Sequence, residues 1–222
     1  MELHTVDYTG NDLQMNEEIT RQTERVRFYT EHPFLKYREE PEEDDSDING
    51  PEIRLYGVPK PFRLEGQGNG EWYSRERRSA FWGETQRFYM ELYTPGSMTE
   101  TKLSALFSEL IPQMNEALKK AEAVPMAVLH AGAADYVYDA MREEVDADNK
   151  DRDPDDQLWL PPRERFGEVI WPTGVYPKFT LNEDGTLTHR IAIDLRTHDY
   201  YIGDIAMYAY IEEGVLLHVD HP

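Results

Sequence analysis

Two short clusters of histidine and aspartate are the residues best suited to chemistry. The first cluster is Asp194, His198 and Asp199, and the second, near the end of the sequence, is His218, Asp220 and His221. Imidazole nitrogens and carboxylate oxygens bind zinc, iron and manganese, and catalytic sites often combine two histidines with one carboxylate. The first cluster therefore supports one hypothesis, a small metal-dependent enzyme that uses His198 with Asp194 or Asp199.

Both clusters also have an ordinary explanation. The chain contains 44 acidic residues, so an aspartate near a histidine is expected by chance. On a terminal strand, His218 and Asp220 would point to one side and His221 to the other, which separates the ligands. Surface or hydrogen-bonded histidines are the favoured interpretation, and neither a metal nor another cofactor is predicted.

The sequence gives little support for other catalytic motifs. Gly66, Gly68 and Gly70 form a GxGxG pattern, but the residues that follow are not the helix start that a phosphate-binding turn requires. The serines lack the strand-turn-helix elbow of a hydrolase. The chain has no cysteine, which excludes thiolate nucleophiles, disulfides and cysteine-based metal sites. The sequence therefore predicts a protein that is not an enzyme.

A dense basic patch lies beside large aromatic residues after these glycines. It consists of Trp72, Arg75, Arg77, Arg78 and Trp82. Arginine and aromatic residues are enriched at protein interfaces and also form platforms for single-stranded nucleic acid. The net charge of −21 argues against nucleic-acid binding through phosphate. The patch is predicted as a subunit interface with an acidic partner, such as another copy of the chain, and a solvated loop is the alternative.

The charge balance also bears on the surroundings of the protein. The chain has 23 Lys plus Arg against 44 Asp plus Glu, and arginine outnumbers lysine. Such a charge repels itself in dilute buffer and is screened in concentrated salt, which fits a halophilic source. A GC-rich genome would equally favour arginine. No signal-peptide pattern and no run of about 18 apolar residues occurs, so a soluble chain without membrane contact is expected.

The elements that would position these residues divide the chain into three parts. Residues 1–38 have a narrow apolar stripe at helical spacing and predict an N-terminal helical arm. Residues 39–52 combine like charges with proline and glycine, which predicts an acidic linker, either a mobile link or a long loop. Residues 53–222 form the predicted main domain, of the α+β class.

Within the main domain, residues 53–94 are predicted as one long β-hairpin. Its arms are 53–64 and 85–94, and the basic patch would lie in a flexible tip between them. A capping box at Ser97 and Glu100 then predicts a helix to about residue 123, with a kink or a break at Pro112.

The second half of the main domain is predicted to contain one strand, one helix and then an antiparallel β-region. The apolar run 126–129 is interpreted as a buried strand and 133–145 as a helix with Ala133, Val137, Ala140 and Met141 inward, giving a helix-strand-helix unit. The later strands are predicted at 166–171, 175–181, 186–195, 200–211 and 215–219, with a turn at 182–185.

This order of elements resembles the layout of capsid proteins of tailed viruses. The arm, the hairpin, the AVLH segment with its helix (127–145) and the run YIGDIAMYAYIEEGVLLHV (201–219) carry the resemblance. In that family the hairpin reaches over neighbouring subunits. The resemblance implies a structural virion subunit, assembled in the host cytoplasm, whose partners are copies of itself and other virion proteins. A connector or tail protein is an alternative. The chain is shorter than most members of the family, and the long spine helix of the family corresponds at best to the interrupted helix around Pro112.

Three hypotheses therefore follow from the sequence. The leading one is a non-enzymatic structural subunit of a symmetric assembly, with no sequence-specific binding of nucleic acid. The second is the small metal-dependent enzyme built on His198. The third is a monomeric binding module for an acidic partner.

Overall fold

A computed structural model of the chain describes residues 45–154, 157–158, 160–197 and 206–220. The described residues form ten strands, all in one mixed sheet, and two long α-helices. The α+β class predicted from the sequence is therefore confirmed. The predicted arm, residues 1–38, and the first six residues of the predicted linker lie outside the described residues.

The sheet combines hairpins with two parallel pairings. Its strands are β1 (Glu52–Ile53), β2 (Phe62–Gly68), β3 (Glu71–Ser74), β4 (Arg77–Phe81), β5 (Glu84–Phe88), β6 (Glu91–Tyr93), β7 (Ile170–Leu181), β8 (Leu187–Thr197), β9 (Ala206–Glu212) and β10 (Val215–Asp220). The order is β1-β2-β3-β6-β7-β8-β9-β10, with β4 paired to β5 and β5 to β7. Strands β5 and β6 run parallel to β7. The central strand β7 thereby joins the two halves of the sequence.

The segment predicted as one long hairpin contains six short strands, so that prediction is wrong. The chain reverses first between β2 and β3, where Asn69 and Gly70 have positive φ, and again between β4 and β5 at Trp82 and Gly83. Each reversal returns the chain to the sheet, so alternate residues of β3 and β4 reach the core. The basic patch is consequently part of the sheet and not of a flexible tip.

The described end of the predicted acidic linker is held against the domain. Ile48 is buried, and the Asp45 carboxylate accepts a hydrogen bond from the Arg63 amide at 2.8 Å. Asp45 and Asp47 also form ion pairs with arginines of the following strands. Residues 45–52 therefore pack against the domain, where arginines distant in sequence pair with Asp45 and Asp47.

Helix α1 (Glu100–Glu122) ends where the sequence predicts but begins differently. Its N-cap is Thr99, whose side chain accepts from the Lys102 amide at 3.4 Å, and Ser97 belongs to the preceding turn. The helix continues through Pro112, so the predicted division into two helices is wrong. Buried Leu110 and Met114 flank the exposed proline and hold both halves of the helix to the core.

Residues 126–129 begin helix α2 (Met126–Asp148) and do not form a strand. Leu129, Ala133 and Val137 are buried at intervals of four, so the short apolar run is the first turn of the same helical stripe. Ala140, predicted to face inward, is exposed. Two consecutive helices therefore replace the predicted helix-strand-helix unit.

The C-terminal antiparallel meander is confirmed over its described strands. Strands β7, β8, β9 and β10 pair in sequence order, and the turn after β7 has Gly185 at φ 84° as the predicted hairpin requires. The strand predicted at 166–171 is wrong in its first part, because Arg163–Val169 is a 3₁₀ helix that follows two prolines. Residues 198–205 lie outside the described residues.

The two helices cover one face of the sheet. Leu216 and Val219 of β10 pack on Gly132 of α2, where an added Cβ would lie 2.7 Å from Leu216. Along β9, Met207, Ala209 and Ile211 are buried in this layer, whereas the tyrosines between them are partly exposed. The opposite face of the sheet is therefore left to polar and aromatic side chains.

Two glycines of the β2–β3 hairpin allow a matched test of the turn. Both have positive φ, 89° at Gly68 and 85° at Gly70, but a Cβ on Gly70 would lie 2.0 Å from the Thr94 carbonyl oxygen, and one on Gly68 would meet nothing within 4 Å. Gly68→Ala should cost only the left-handed strain of about 1–2 kcal/mol, and Gly70→Ala about 2–5 kcal/mol because the clash is added. Urea unfolding of both variants measures the difference, and equal losses would contradict it.

Candidate interaction surface

The structure separates the residues of the predicted subunit interface. Trp72 is 8 % exposed in the core, and its indole nitrogen donates to Thr94 Oγ1 at 3.1 Å. Arg77 is 5 % exposed and its Nη2 lies 2.8 Å from Asp45 Oδ2. The side chains of Trp72 and Arg77 therefore make their polar contacts within the same chain.

The other three residues of the patch also have internal contacts or partial burial. Arg75 pairs with Asp47 at 2.8 Å. Trp82 donates its amide to Glu122 Oε1 at 2.9 Å and its indole N–H to the Val124 carbonyl at 3.2 Å, which fixes the β4–β5 turn to the end of α1. Arg78 is partly exposed on β4, opposite Arg87 of β5. A role of these five residues in contacts with another subunit stays a prediction.

The residues of the proposed metal sites are engaged in other contacts where they are described. Asp194 is 1 % exposed, and its carboxylate lies 3.0 Å from Arg87 Nη2 and 3.2 Å from Arg196 Nε. His218 stacks on Tyr210, and Asp220 accepts from the Tyr136 hydroxyl at 3.0 Å. His198, Asp199 and His221 lie outside the described residues. In the described part of the chain, no three acidic or histidine side chains are grouped as metal ligands.

The sheet face opposite the helices carries a row of tyrosines that we call the tyrosine face. Its tyrosines are Tyr73, Tyr89, Tyr93, Tyr176, Tyr208 and Tyr210. The rings form two groups: Tyr73 stacks on Tyr89 at 6.2 Å, and Tyr208 contacts both Tyr176 at 6.1 Å and Tyr210 at 6.4 Å. Strand alternation produces the face, because each tyrosine of β3, β6, β7 and β9 is flanked by core residues.

Ion pairs lie between the tyrosines. Lys178 is 3.7 Å from Glu91 and 4.3 Å above the Tyr93 ring, while Arg190 Nε is 2.7 Å from Glu212. Neighbouring strands thus place an acid, two bases and an acid in one row across the sheet. Each of these two cations lies beside a carboxylate, so the face does not carry the large negative excess of the whole chain.

Two shallow grooves run along the tyrosine face and meet at Tyr89. The larger, about 600 Å³, is lined by Glu65, Gln67, Tyr73, Ser74, Arg75, Glu76 and Tyr89. The smaller, about 160 Å³, is lined by Tyr89, Glu91, Tyr176, Pro177, Lys178, Arg190, Ala192 and Tyr210. Ring faces, hydroxyls and paired charges form both grooves, which suits contacts with a protein surface.

Four hydroxyls of the tyrosine face, those of Tyr89, Tyr93, Tyr176 and Tyr208, have raised pKa values. Burial raises the pKa of Tyr176 to about 12. The hydrogen bond with Tyr73, followed by burial, raises the pKa of Tyr93, and burial is the main cause of the raised pKa of Tyr89 and Tyr208. At pH 7 the face therefore offers hydroxyl donors and ring surfaces without adding negative charge.

The raised pKa of Tyr176 predicts a loss of stability in alkaline solution. The unfolded chain loses this proton near pH 10.0 and the folded chain near pH 12. The contribution is therefore complete below pH 10, and the unfolding free energy falls by up to about 1.4 kcal/mol per pH unit from pH 10 to 12. Urea unfolding across this range should show a smaller slope for Tyr176→Phe than for the wild type. Identical slopes would contradict the assignment.

The tyrosine face was not among the sites predicted from the sequence. A signal was present in the run MYAYI, where Tyr208 and Tyr210 alternate with core residues. Tyr73, Tyr93 and Tyr176 lie on strands far apart in sequence, and only the pairing of β3 with β6 and of β6 with β7 brings them together. Local patterns do not encode that pairing.

No described helix is long and apolar enough to cross a membrane. Comparison of the chain with known protein families, with curated proteins and with solved structures found no match.

Proposed function

We propose that the chain is a non-enzymatic structural subunit of a symmetric assembly, a virion component of the tailed-virus kind, and that the tyrosine face docks on a neighbouring subunit. The observation that supports the proposal is the composition of that face. Tyrosine and arginine supply much of the binding energy at protein interfaces, and both groove linings contain them.

Electrostatics favours this face for contact between copies. With a net charge of −21, two copies repel each other over most orientations. On the tyrosine face, Lys178 and Arg190 are held beside Glu91 and Glu212, so the repulsion on approach is smallest where each carboxylate has a cation beside it. The contact would also pair Tyr hydroxyls with acceptors on the neighbour.

The size of the face is sufficient for a stable contact. Its two grooves are lined by residues of β2 through β9, which are six neighbouring strands. Strands about 4.8 Å apart give a width of about 24 Å, which accommodates a standard interface of about 800 Å² per partner.

Light scattering after gel filtration tests the proposal. We expect the wild type in 2 M KCl to elute well above the 26.0 kDa of one chain, and to shift to smaller species in 0.1 M KCl as the repulsion loses its screening. Tyr89→Ala and Tyr210→Ala should each reduce the assembled fraction at least tenfold in 2 M KCl, because they remove the centre and one end of the face.

The matched control is Tyr136→Ala, which removes an exposed tyrosine from α2 on the other side of the sheet. Its assembled fraction should equal that of the wild type. A wild type that is monomeric at every salt and protein concentration would overturn the symmetric assembly and favour the monomeric binding module. Equal losses in all three variants would show that the tyrosine face has no special role.

A further inference from the structure

Strand β10 (Val215–Asp220) forms one end of the sheet. Among the described residues it pairs only with β9, so its other backbone side has hydrogen-bonding groups directed away from the sheet. The backbone N–H and C=O groups of such an edge can form hydrogen bonds with another extended strand. A strand is therefore the kind of partner that this edge fits.

The two ends of the sheet are protected to different degrees. At the other end, β1 has only two residues, Glu52 and Ile53, and follows Pro51, so it offers little backbone for pairing. Strand β10 has six residues and contains neither proline nor lysine, the usual protection of an edge. Strand β10 is therefore poorly protected against pairing with another strand.

Apolar side chains are displayed on this edge. Val215 is 60 % exposed and Leu217 is 48 % exposed, more than is usual for such residues on a strand. The pairing with β9 shifts between Leu216 and His218, so Leu217 has no opposite residue on β9. A bulge can discourage pairing, but a charged residue at the bulge would do so more strongly, and this position holds leucine.

We infer that β10 pairs antiparallel with β10 of a second copy, so that the two sheets become continuous across a two-fold axis. An isologous contact of this kind satisfies the backbone groups of both edges and covers Val215 and Leu217 of each copy. This inference deepens the proposed assembly by naming a second interface, separate from the tyrosine face.

The charges on β10 are compatible with self-pairing. In an antiparallel pair centred on Leu217, Asp220 of each copy lies opposite Gly214 and not opposite itself. The two Asp220 carboxylates are then about 20 Å apart along the strands, beyond the Debye length of about 10 Å at 0.1 M salt. In the turn before β10, Glu213 is already paired with Lys120 at 2.8 Å. Repulsion between like charges is therefore weaker at this contact than at most other contacts between two copies.

The absence of cysteine makes a direct test possible, because one introduced thiol is the only one in the chain. In a pair centred on Leu217, the two copies of residue 217 lie directly opposite each other with their side chains on the same face, and their Cα atoms are within the 4.4–6.8 Å span that a disulfide needs. Leu217→Cys, oxidised with copper phenanthroline in 2 M KCl, should give a covalent dimer in more than half of the chains. Glu183→Cys, in the exposed β7–β8 turn, is the matched control and should give less than a tenth as much.

A second pair of variants tests the contact without cross-linking. Leu217→Lys should raise the dimer dissociation constant at least tenfold, and Ala80→Lys, at an exposed position of β4, should leave it unchanged. Circular dichroism of both variants verifies that they fold. Equal weakening by both lysines, or a cysteine at 217 that reacts with maleimide but does not cross-link, would overturn the inference. A thiol at 217 that neither cross-links nor reacts would show that another part of the same chain covers the edge, which also overturns it.

The test separates this inference from the tyrosine-face proposal. The disulfide dimer of Leu217→Cys should still form when Tyr89→Ala is added, because the two surfaces are different. If the dimer forms and nothing larger does, self-pairing of β10 stands and the tyrosine-face proposal fails. If larger species form without a cross-link at residue 217, the tyrosine face stands and β10 pairing fails.

Discussion

Replacement of Arg77 by glutamate should destabilise the domain by about 3–5 kcal/mol or more, a large part of the roughly 5–15 kcal/mol by which folded domains are stable. The Arg77 side chain is buried, with Nη2 2.8 Å from Asp45 Oδ2 and Nη1 donating to the Glu76 carbonyl at 3.1 Å. In Arg77→Glu, a carboxylate replaces the guanidinium beside Asp45, so two like charges face each other in a region poorly reached by water.

Arg78→Glu is the matched control for Arg77→Glu. Arg78 is the next residue on β4, is partly exposed and lies opposite Arg87, so glutamate there replaces a like-charge pair with an opposite-charge pair. Its unfolding free energy should stay within about 0.5 kcal/mol of the wild type. Urea unfolding followed by circular dichroism compares the two. A folded Arg77→Glu variant of wild-type stability would contradict the buried ion pair.

Removal of the Asp194 carboxylate should have a second large effect, a loss of about 3–5 kcal/mol. Asp194 is buried on β8 between Arg87 and Arg196, both only partly exposed. In Asp194→Ala the two guanidinium groups lose their shared counter-charge and repel each other across the space that the carboxylate occupied. The cost is large because the charges left behind are poorly hydrated.

Asp135→Ala is the control for Asp194→Ala. Asp135 pairs with Arg163 at 3.2 Å, but this aspartate is exposed and such pairs contribute at most about 1 kcal/mol. Thermal and urea unfolding of the two variants should therefore differ by at least about 2 kcal/mol. Similar small losses in both would contradict the assigned role of Asp194. The metal-enzyme hypothesis makes a different prediction, since EDTA would then lower the stability of the wild type but not of Asp194→Ala.

Elements with strong local signals were predicted from the sequence. The turn predicted at 182–185 correctly located the β7–β8 hairpin, and the helix predicted to about residue 123 located most of α1. These features depend on residues within a few positions of one another, so composition and periodicity contain the necessary information.

Predictions that depended on the role of a residue in a distant contact were wrong. Residues 126–129 are apolar enough for a buried strand, and only the continuation of the stripe through α2 makes them helical. Arg77 belongs to the densest basic patch in the sequence, yet its partner Asp45 lies more than 30 positions earlier. The patch looked exposed because charge density in a sequence does not reveal which charges are paired.

The sequence by itself determined the α+β class, the C-terminal meander, most of α1 and the acidic character of the chain, since each follows from local spacing or from composition. The tertiary structure alone decided the parallel pairing of β5 and β6 with β7, the burial of Arg77 and Asp194, and the gathering of tyrosines on one face. Strand order and ion pairing result from competition among distant segments for one core. The outcome depends on the total free energy of packing and charge pairing. That total cannot be calculated from any single stretch of sequence.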